Sequence, residues 1–506
     1  MRMYGEFQRD RVGWFLGLTG LQLGVLAAGV VPVVSAVHGG LWRAAFASVV
    51  GWLVLLAVVV VPVQGRTAVG WAAAAALSMV GRRAGWSAYR SGLSQGRAVP
   101  AGVLDLPGGL GAMRVHSVRA GGGQLGVVQH LATRAWSVTA RVSHPGTGWV
   151  TAAERDVLGA GLAAVLDGVC RAGLVSEVQV LVRVSPDEGT DRDRWLSDHR
   201  PPVAPSDLAR RVHDELRQHL TPAATRTETF VTFIVPERRL RRAARNSPGD
   251  LGGRAPVLAD LTSEVTALLT GPLGAEHVTW LSSAGLATAC RTGFDPGTAE
   301  PLAPARTVST ADAVPCLEGG CDSGVVWAGV GTARAVSEAG RYRHGGFVSV
   351  SSALLLPARG AVLGALGPVL SAGAVGERRC LLVGFPVLPP DLAERRTASR
   401  EWAADLGDGL RDRARVRPRA KTRADNQAAR AVDAKLVRGA SLCRPYAVAT
   451  TTVAADQAVD AATRRLDGSI RQAGFTAQRL DLAHDVGFAA GCLPLGLSLS
   501  TSKDST

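Results

Sequence analysis

Two long stretches near the start of the chain carry no charged side chain: Val12–Trp42, 31 residues, and Ala44–Gly65, 22 residues, on either side of Arg43. A hydrocarbon core of about 30 Å needs roughly 20 apolar helical residues to cross it. The pattern therefore predicts a hairpin of two membrane spans. The first stretch exceeds the roughly 7–15 apolar residues of a cleaved signal peptide, and a second follows at once. Gly51–Val61 shows no polar face of the kind a core helix presents to solvent. Pro32 and Pro62 fall near span ends, where freed carbonyls find other partners. Arg2, Arg9 and Arg11 precede the hairpin and Arg66, Arg82, Arg83 and Arg90 follow it, against Arg43 alone in the turn. That asymmetry predicts both termini in the cytoplasm and a multi-pass protein of the inner (plasma) membrane. Thr67–Gly81, 15 residues, is too short to span and reads as a helix along the inner leaflet or against the hairpin.

Beyond residue 95 the periodicity changes. Gln124–Val128, Ala135–Val142, Val178–Val184 and Thr229–Val235 read as strands, the second with period-two alternation and the last stopped by Pro236. Thr151–Ala172 is a predicted helix, with Thr151 and Glu154 at capping-box spacing and Leu158, Leu162, Val165, Leu166 and Val169 on one face. Ser206–Leu220, with Ser206 as N-cap, and Leu258–Leu269 are further helices, and His277–Leu281 a further strand. The second half repeats the style. Val325–Val330, Gly346–Leu356, Arg379–Phe385, Pro445–Val453 and Phe475–Leu480 read as strands, and Ala361–Leu370, much of Asp391–Ala440 and Asp456–Ala473 as helices. The predicted fold class is α+β: an N-terminal two-helix transmembrane hairpin followed by a mixed α/β cytosolic region of two sheet-and-helix subdomains. The expected division is 1–92 for the hairpin and juxtamembrane helix, 95–292 and 309–497 for the subdomains, 293–308 for a linker and 498–506 for a disordered tail.

Composition narrows the partners. The net charge is +14, but Lys occurs only at 421, 435 and 503, so the basic excess is nearly all Arg. Half of it, +7, lies in the first 97 residues, beside the expected bilayer with its anionic headgroups. The runs Glu237–Arg245 and Arg411–Arg417 lack interleaved aromatics on which bases stack. Arg238, Arg239, Arg241 and Arg242 are accordingly candidate partner or lipid contacts beside the simpler reading of a solvated face, and DNA contact is unproven. The 7 Cys residues are an odd number without paired CxxC spacing, so no metal site is expected, and in a reducing compartment Cys170, Cys290, Cys380 and Cys492 act as small apolar residues.

No catalytic engine emerges. Lys421-Thr422 lacks the glycines of a phosphate loop. Gly329–Arg334 lacks the third glycine of a dinucleotide loop. Gly92–Gly96 spells the hydrolase elbow GxSxG, but a basic juxtamembrane helix precedes it and Pro100 follows, which reads as a linker. Ser500–Lys503 spells SxxK in the expected tail. His116, His130 and His144 are scattered. The expectation is no enzyme and no cofactor.

Tyr89-Arg90-Ser91-Gly92, Phe294-Asp295-Pro296, Tyr342-Arg343-His344 and Gly487–Gly496, with Phe488, Leu493 and Pro494, resemble an actinobacterial membrane-protein family associated with conjugative transfer. The two-span start is similar to the PrgI-type subunit of conjugative type IV secretion systems. The remainder resembles the amino-terminal, nucleotide-free part of TraC/TrbE-type conjugation ATPases. Thr67–Ala84 departs from it in being poor in aromatic and charged residues. The resemblance implies a non-catalytic inner-membrane structural subunit, contacting the lipid bilayer, a separate conjugation-type ATPase, other apparatus subunits and further copies of itself. A type VII secretion subunit and a membrane-tethered enzyme with an unfamiliar site are the alternatives.

Overall fold

The computed structural model describes residues 20–97, 104–187, 206–296, 327–388 and 439–500, with short breaks inside these ranges and a few isolated positions between them. The chain divides into two compact units, Phe7–Ser87 and the region from Ala88 onward.

In the smaller unit, α1 (Gly20–His38) and α2 (Trp42–Val60) are joined by a turn at Gly40, whose φ of 69° suits a residue without a Cβ. The Trp52 indole donates to the Leu26 carbonyl at 3.0 Å, and Gly29 lets the Trp52 and Leu55 side chains approach the α1 backbone. A two-residue ladder of β1 (Pro62–Val63) and β2 (Arg66–Thr67) leads into α3 (Ala68–Arg83).

This geometry corrects the expected membrane hairpin. Among the described residues, no helix is long and apolar enough to cross a membrane. Among the described residues the 31-residue uncharged stretch contributes a helix of 19 residues, and the second stretch another of 19. Each rises about 28 Å at 1.5 Å per residue. The chain spends residues 39–41 in the turn, and Val12–Thr19 lie outside the described residues. The two spans and the multi-pass location with both termini in the cytoplasm are overturned together.

The larger unit is built on one sheet of 13 strands. Its first half comprises β4 (Met113–Ala120), β5 (Gly123–His130), β6 (Ala135–Ser143), α4 (Ala152–Ala172), β7 (Glu177–Pro186), α5 (Asp207–Leu220), β8 (Thr225–Pro236), α6 (Glu237–Ala243), α7 (Leu251–Thr270), β9 (His277–Trp280) and α8 (Ser283–Phe294). The second comprises β10 (Arg334–Ser337), β11 (Tyr342–His344), β12 (Phe347–Leu355), α9 (Gly367–Leu370), β13 (Arg378–Pro386), β14 (Tyr446–Ala454), α10 (Val459–Gln472), β15 (Thr476–Arg479) and α11 (His484–Cys492). The strands run β4-β5-β6-β8-β7 in the first half and β10-β11-β12-β14-β13 in the second. β9 adds to β6 as β15 adds to β12, and each is followed by a helix on the same face. The unit is thus an internal duplication of topology, with β7 and β13 pairing antiparallel at the seam, Leu381 opposite Val182. The short edge strand β3 (Ala88–Arg90) pairs with β10. The continuous ladder replaces the two separate sheet-bearing subdomains expected from the sequence.

Period-two alternation sorts the side chains. On β6, Trp136, Val138, Ala140 and Val142 join Val231, Phe233 and Val235 of β8 beneath α4 and α7. In the second half that face packs Leu354, Leu381 and Ala449 under α9 and α10 through Val369, Leu466 and Ile470. The opposite face carries α8, α11 and the segment after α11, with Leu286, Cys290, Phe488, Leu493 and Leu495 over Leu181, Phe230 and Leu382. Each fully buried side chain of this kind contributes about 1.5–3 kcal/mol relative to exposure. Close approach of α8 requires Gly126 on β5, where a Cβ would stand 2.7 Å from Leu286 Cδ1 and 2.8 Å from the Ser282 backbone.

Local signals in the sequence appear as read at α4. Thr151 accepts from the Glu154 amide while the Glu154 carboxylate accepts from the Thr151 amide at 2.6 Å. Elsewhere they do not. The expected helix Ala361–Leu370 survives only as α9, because Gly360 and Gly364 sit at φ of 84° and 87°. Val325–Val330 contains a 3-10 turn at Trp327–Gly329 in place of a strand. Most of Asp391–Ala440, including Arg411–Arg417, lies outside the described residues.

Candidate functional site

Residues of three dispersed motifs meet on the α8/α11 face. Phe294 closes α8, Tyr342 and His344 stand two apart on β11 and so share a face, and Phe488 lies in α11. The His344 and Phe488 rings are 4.3 Å apart, Tyr342 and Phe488 5.1 Å, Phe294 and Phe488 5.3 Å, and Phe294 and His344 6.0 Å. Leu493 joins the same core, and Gly293 gives it room, since a Cβ there would come within 3.1 Å of the Cys492 carbonyl. All of these side chains are buried.

The knot is dry. Burial, with Arg378 adding to it, pushes the His344 imidazole down to about 3, so the ring stays neutral while its Nε2 meets Ser349 Oγ at 2.8 Å. Burial likewise raises the Tyr342 phenol above its ordinary value, with Asp485 and Tyr89 adding to the shift. Tyr89 anchors the edge strand by donating to the Asp105 carbonyl at 2.6 Å and to its carboxylate at 2.8 Å. The same carboxylate accepts from the Gly92 amide. Arg90 is exposed, and Arg343 is ion-paired with Glu338 at 2.6 Å. Asp295 and Pro296 are half-buried just past α8. Pro494 accepts from Thr139 through its carbonyl at 2.9 Å.

Two buried arginines tie this layer to the seam. Arg183 of β7 donates from Nη1 to the carbonyls of Ala289 at 2.6 Å and Cys492 at 3.3 Å. Its Nη2 donates to Glu228 at 2.7 Å and Thr292 at 3.1 Å, and the guanidinium lies 4.7 Å from the centre of the Phe230 ring. Arg378 of β13 donates to the carbonyls of Thr292 at 2.9 Å and Gly293 at 2.6 Å, and to Thr452 at 3.0 Å. Both halves therefore send a cation to the C-terminal end of α8, where the helix dipole and its orphan carbonyls favour one. Burial of Glu228 opposes its ionisation, but Arg183, Arg141 and Arg226 outweigh it and hold the carboxyl below its ordinary range.

Sequence reasoning missed both arginines. For Arg183 the available signal was a charge at an inward position of the largely apolar strand Val178–Val184. Between them lies Cys380, hydrogen-bonded to Cys492. Burial opposes its ionisation, yet Cys492, Arg378 and Arg183 draw the Cys380 thiol below its ordinary value. Cys492 is pushed up. Both thiols are fully enclosed, so no reactant reaches them.

The segment after α11 closes the face. Leu495 and Leu497 accept from Ser137 at 2.8 Å and Gln179 at 3.1 Å, and Ser498 donates to the buried Glu177 carboxylate at 2.6 Å. Glu177 also accepts from Tyr446 at 2.6 Å and Gln179 at 2.8 Å. Ser498 and Ser500, assigned from composition to a disordered tail, are thus tied to the sheet, and 501–506 lie outside the described residues. Gly293 and Phe294, the first residues of the expected linker, belong to the core. The other single motifs are structural. Ser94 of GxSxG donates to the Ser91 and Ala333 carbonyls within a 3-10 turn. Buried His130 meets Ser137 at 3.0 Å and is pushed down to about 4, mainly by burial. In the basic run, Leu240 plugs the core, Arg239 donates to the Val175 carbonyl at 2.7 Å, and Arg238, Arg241 and Arg242 are exposed. Among the described residues no group of His, Cys, Asp or Glu is placed to hold a metal ion.

Comparison with known proteins finds no matching family model and no matching curated protein.

Proposed function

We propose that the chain is a non-catalytic structural subunit of a conjugative, type IV-like transfer apparatus, docking a separate ATPase and other apparatus subunits on its duplicated sheet unit. The observation that carries this reading is the fate of the motif residues. Phe294, Tyr342, His344, Phe488 and Leu493 come from three separated segments and are spent on one buried knot. A catalytic constellation needs groups that reach substrate and change protonation near the working pH. His344 is enclosed and held neutral far below that range. The buried cations meet helix carbonyls and a carboxylate in the same layer. Such a core serves rigidity, and its outer surface is left for association by apolar contact and matched charge.

The test is co-purification of the full-length chain with the ATPase encoded beside it, with mild crosslinking, together with a nucleotide-turnover assay on the chain alone. Recovery of the ATPase without intrinsic turnover is expected. Absence of co-purification after crosslinking, or nucleotide hydrolysis by the purified chain, overturns the proposal. Capture of a type VII ATPase in place of a conjugation ATPase assigns the subunit to that other apparatus.

A further inference from the structure

The basic run after β8 acquires a geometry in the fold that no contact described above uses. In α6, Leu240 and the following Ala244 are buried on one side. Arg238, Arg241 and Arg242, with Arg245 in the turn beyond, are exposed on the other. Spacings of three and four residues put these four arginines on one face. Arg239 is turned away to the Val175 carbonyl at 2.7 Å. Glu237, the one acid of the helix, is ion-paired with Arg254 at 3.1 Å. Among the described residues none of the four exposed arginines has an ion-pair partner. Like charges at this spacing repel one another, so the face is unfavourable by itself and gains from an anionic partner.

A fifth arginine carries an independent sign of use. Arg134 closes the β5–β6 turn at φ 50°, the left-handed region in which Gly or Asn is at ease and a long side chain is strained. Its carbonyl accepts from the Glu237 amide at 2.9 Å, which sets it against the first residue of α6. Arg134 too is exposed, and without an ion pair among the described residues. Strain of this kind persists where the surroundings hold it, and it marks functional positions. What the strain retains here is a guanidinium beside four others.

Guanidinium forks match carboxylates and phosphates alike, so the repeat and the surroundings decide between them. Arg238 and Arg242 stand about one helical turn apart, as do Arg241 and Arg245. A helix with carboxylates at the same repeat meets both rows in register, whereas the headgroups of a lipid surface need no repeat. No aromatic residue occurs in Leu131–Arg134 or Glu237–Asn246 on which a base could stack, and Leu131, 44% exposed, offers aliphatic contact instead. We propose that α6 and Arg134 form a docking surface for an acidic helix of another protein, whose carboxylates at three- and four-residue spacing meet Arg238, Arg241, Arg242 and Arg245. This surface does not depend on which apparatus, if any, the protein serves.

The experiment measures binding of two labelled peptides to the full-length chain by fluorescence anisotropy. One is a helical peptide with Glu at positions i, i+3, i+4 and i+7; the other has the same composition with its Glu residues scrambled around the helix. The first is expected to bind about tenfold tighter or more. Arg238→Gln with Arg242→Gln is expected to remove that advantage. Arg134→Gly is the informative single variant. It weakens binding of the first peptide by about threefold or more, while the thermal midpoint does not fall, because glycine relieves the left-handed strain. Equal affinity for the two peptides, undiminished binding by the double variant, or a lowered midpoint with unchanged binding in Arg134→Gly overturns the proposal. Tighter binding of a mixed-sequence single-stranded DNA or of phosphatidylglycerol vesicles, lost in the same double variant, also overturns it and assigns the surface to phosphates.

Discussion

The two halves of the sheet share a strand order and cover their common face differently. The first lays down two long helices, α4 of 21 residues and α7 of 20, over a continuous apolar surface. Among the described residues the second lays down α9 of 4 residues and α10 of 14. An ionic group stands at the start of β13. Glu377 accepts from Thr451 at 2.8 Å and from Arg465 at 3.0 Å, and lies 2.6 Å from Arg379 Nε. The arginines of the halves also differ. Arg183 has partners on both Nη atoms, its Nε alone lacking one, whereas both Arg379 Nη atoms lack one and its Nε meets the Glu377 carboxylate. Burial pulls the Arg379 guanidinium down from its ordinary value, and Glu377 opposes the shift. A duplicated topology therefore tolerates divergent chemistry, provided that each buried charge keeps an opposite charge at hand.

The sharpest way to break this comparison is to remove the charges. Arg183→Met takes from Glu228 its nearest donor, leaving Arg141, strips two α8/α11 carbonyls of theirs, and is expected to cost about 3–5 kcal/mol in denaturant unfolding. Arg379→Met leaves Glu377 with Thr451 and Arg465, and is expected to cost less than about 1.5 kcal/mol. Equal losses would show that the Arg183 bonds carry no special weight. Next in size is Gly126→Ala, which drives a methyl into Leu286 and the Ser282 backbone and is expected to cost about 1–3 kcal/mol. A neutral result would mean that α8 shifts freely on the sheet.

The pH dependence comes next. His344 and His130 have folded values near 3 and 4 against an ordinary value of 6.5, so the unfolded chain takes up protons first as pH falls. Their contribution is fully present above about pH 6.5 and declines as pH drops toward 4. Unfolding midpoints measured between pH 7.5 and 5 are expected to fall, and His344→Gln to flatten part of that slope. An unchanged slope in the variant would move the effect to other groups. The smallest expected effect is Thr151→Ala, which removes the cap of α4 and costs about 1 kcal/mol. Thermal melts of the variant and parent chains check it.

Much of the element pattern was legible along the chain, because a strand alternates and a capping box is local. Ala135–Ser143 and Thr151–Ala172 were readable for that reason. The helix at Ala361–Leu370 was over-read, since glycines at positive φ break it. The membrane hairpin was over-read too. Absence of charge measures apolarity, whereas a span also needs unbroken helical length.

What the sequence settled alone is thus the local grammar: which residues alternate and where helices such as α4 are capped. Strand order, the seam of β7 and β13, and the meeting of Phe294, Tyr342, His344 and Phe488 were decided only in three dimensions. Antiparallel pairing joins segments about 200 residues apart through backbone groups that every residue possesses, and nothing in a side-chain pattern names the partner. A buried arginine likewise becomes intelligible only when the carbonyls it meets have been brought to it.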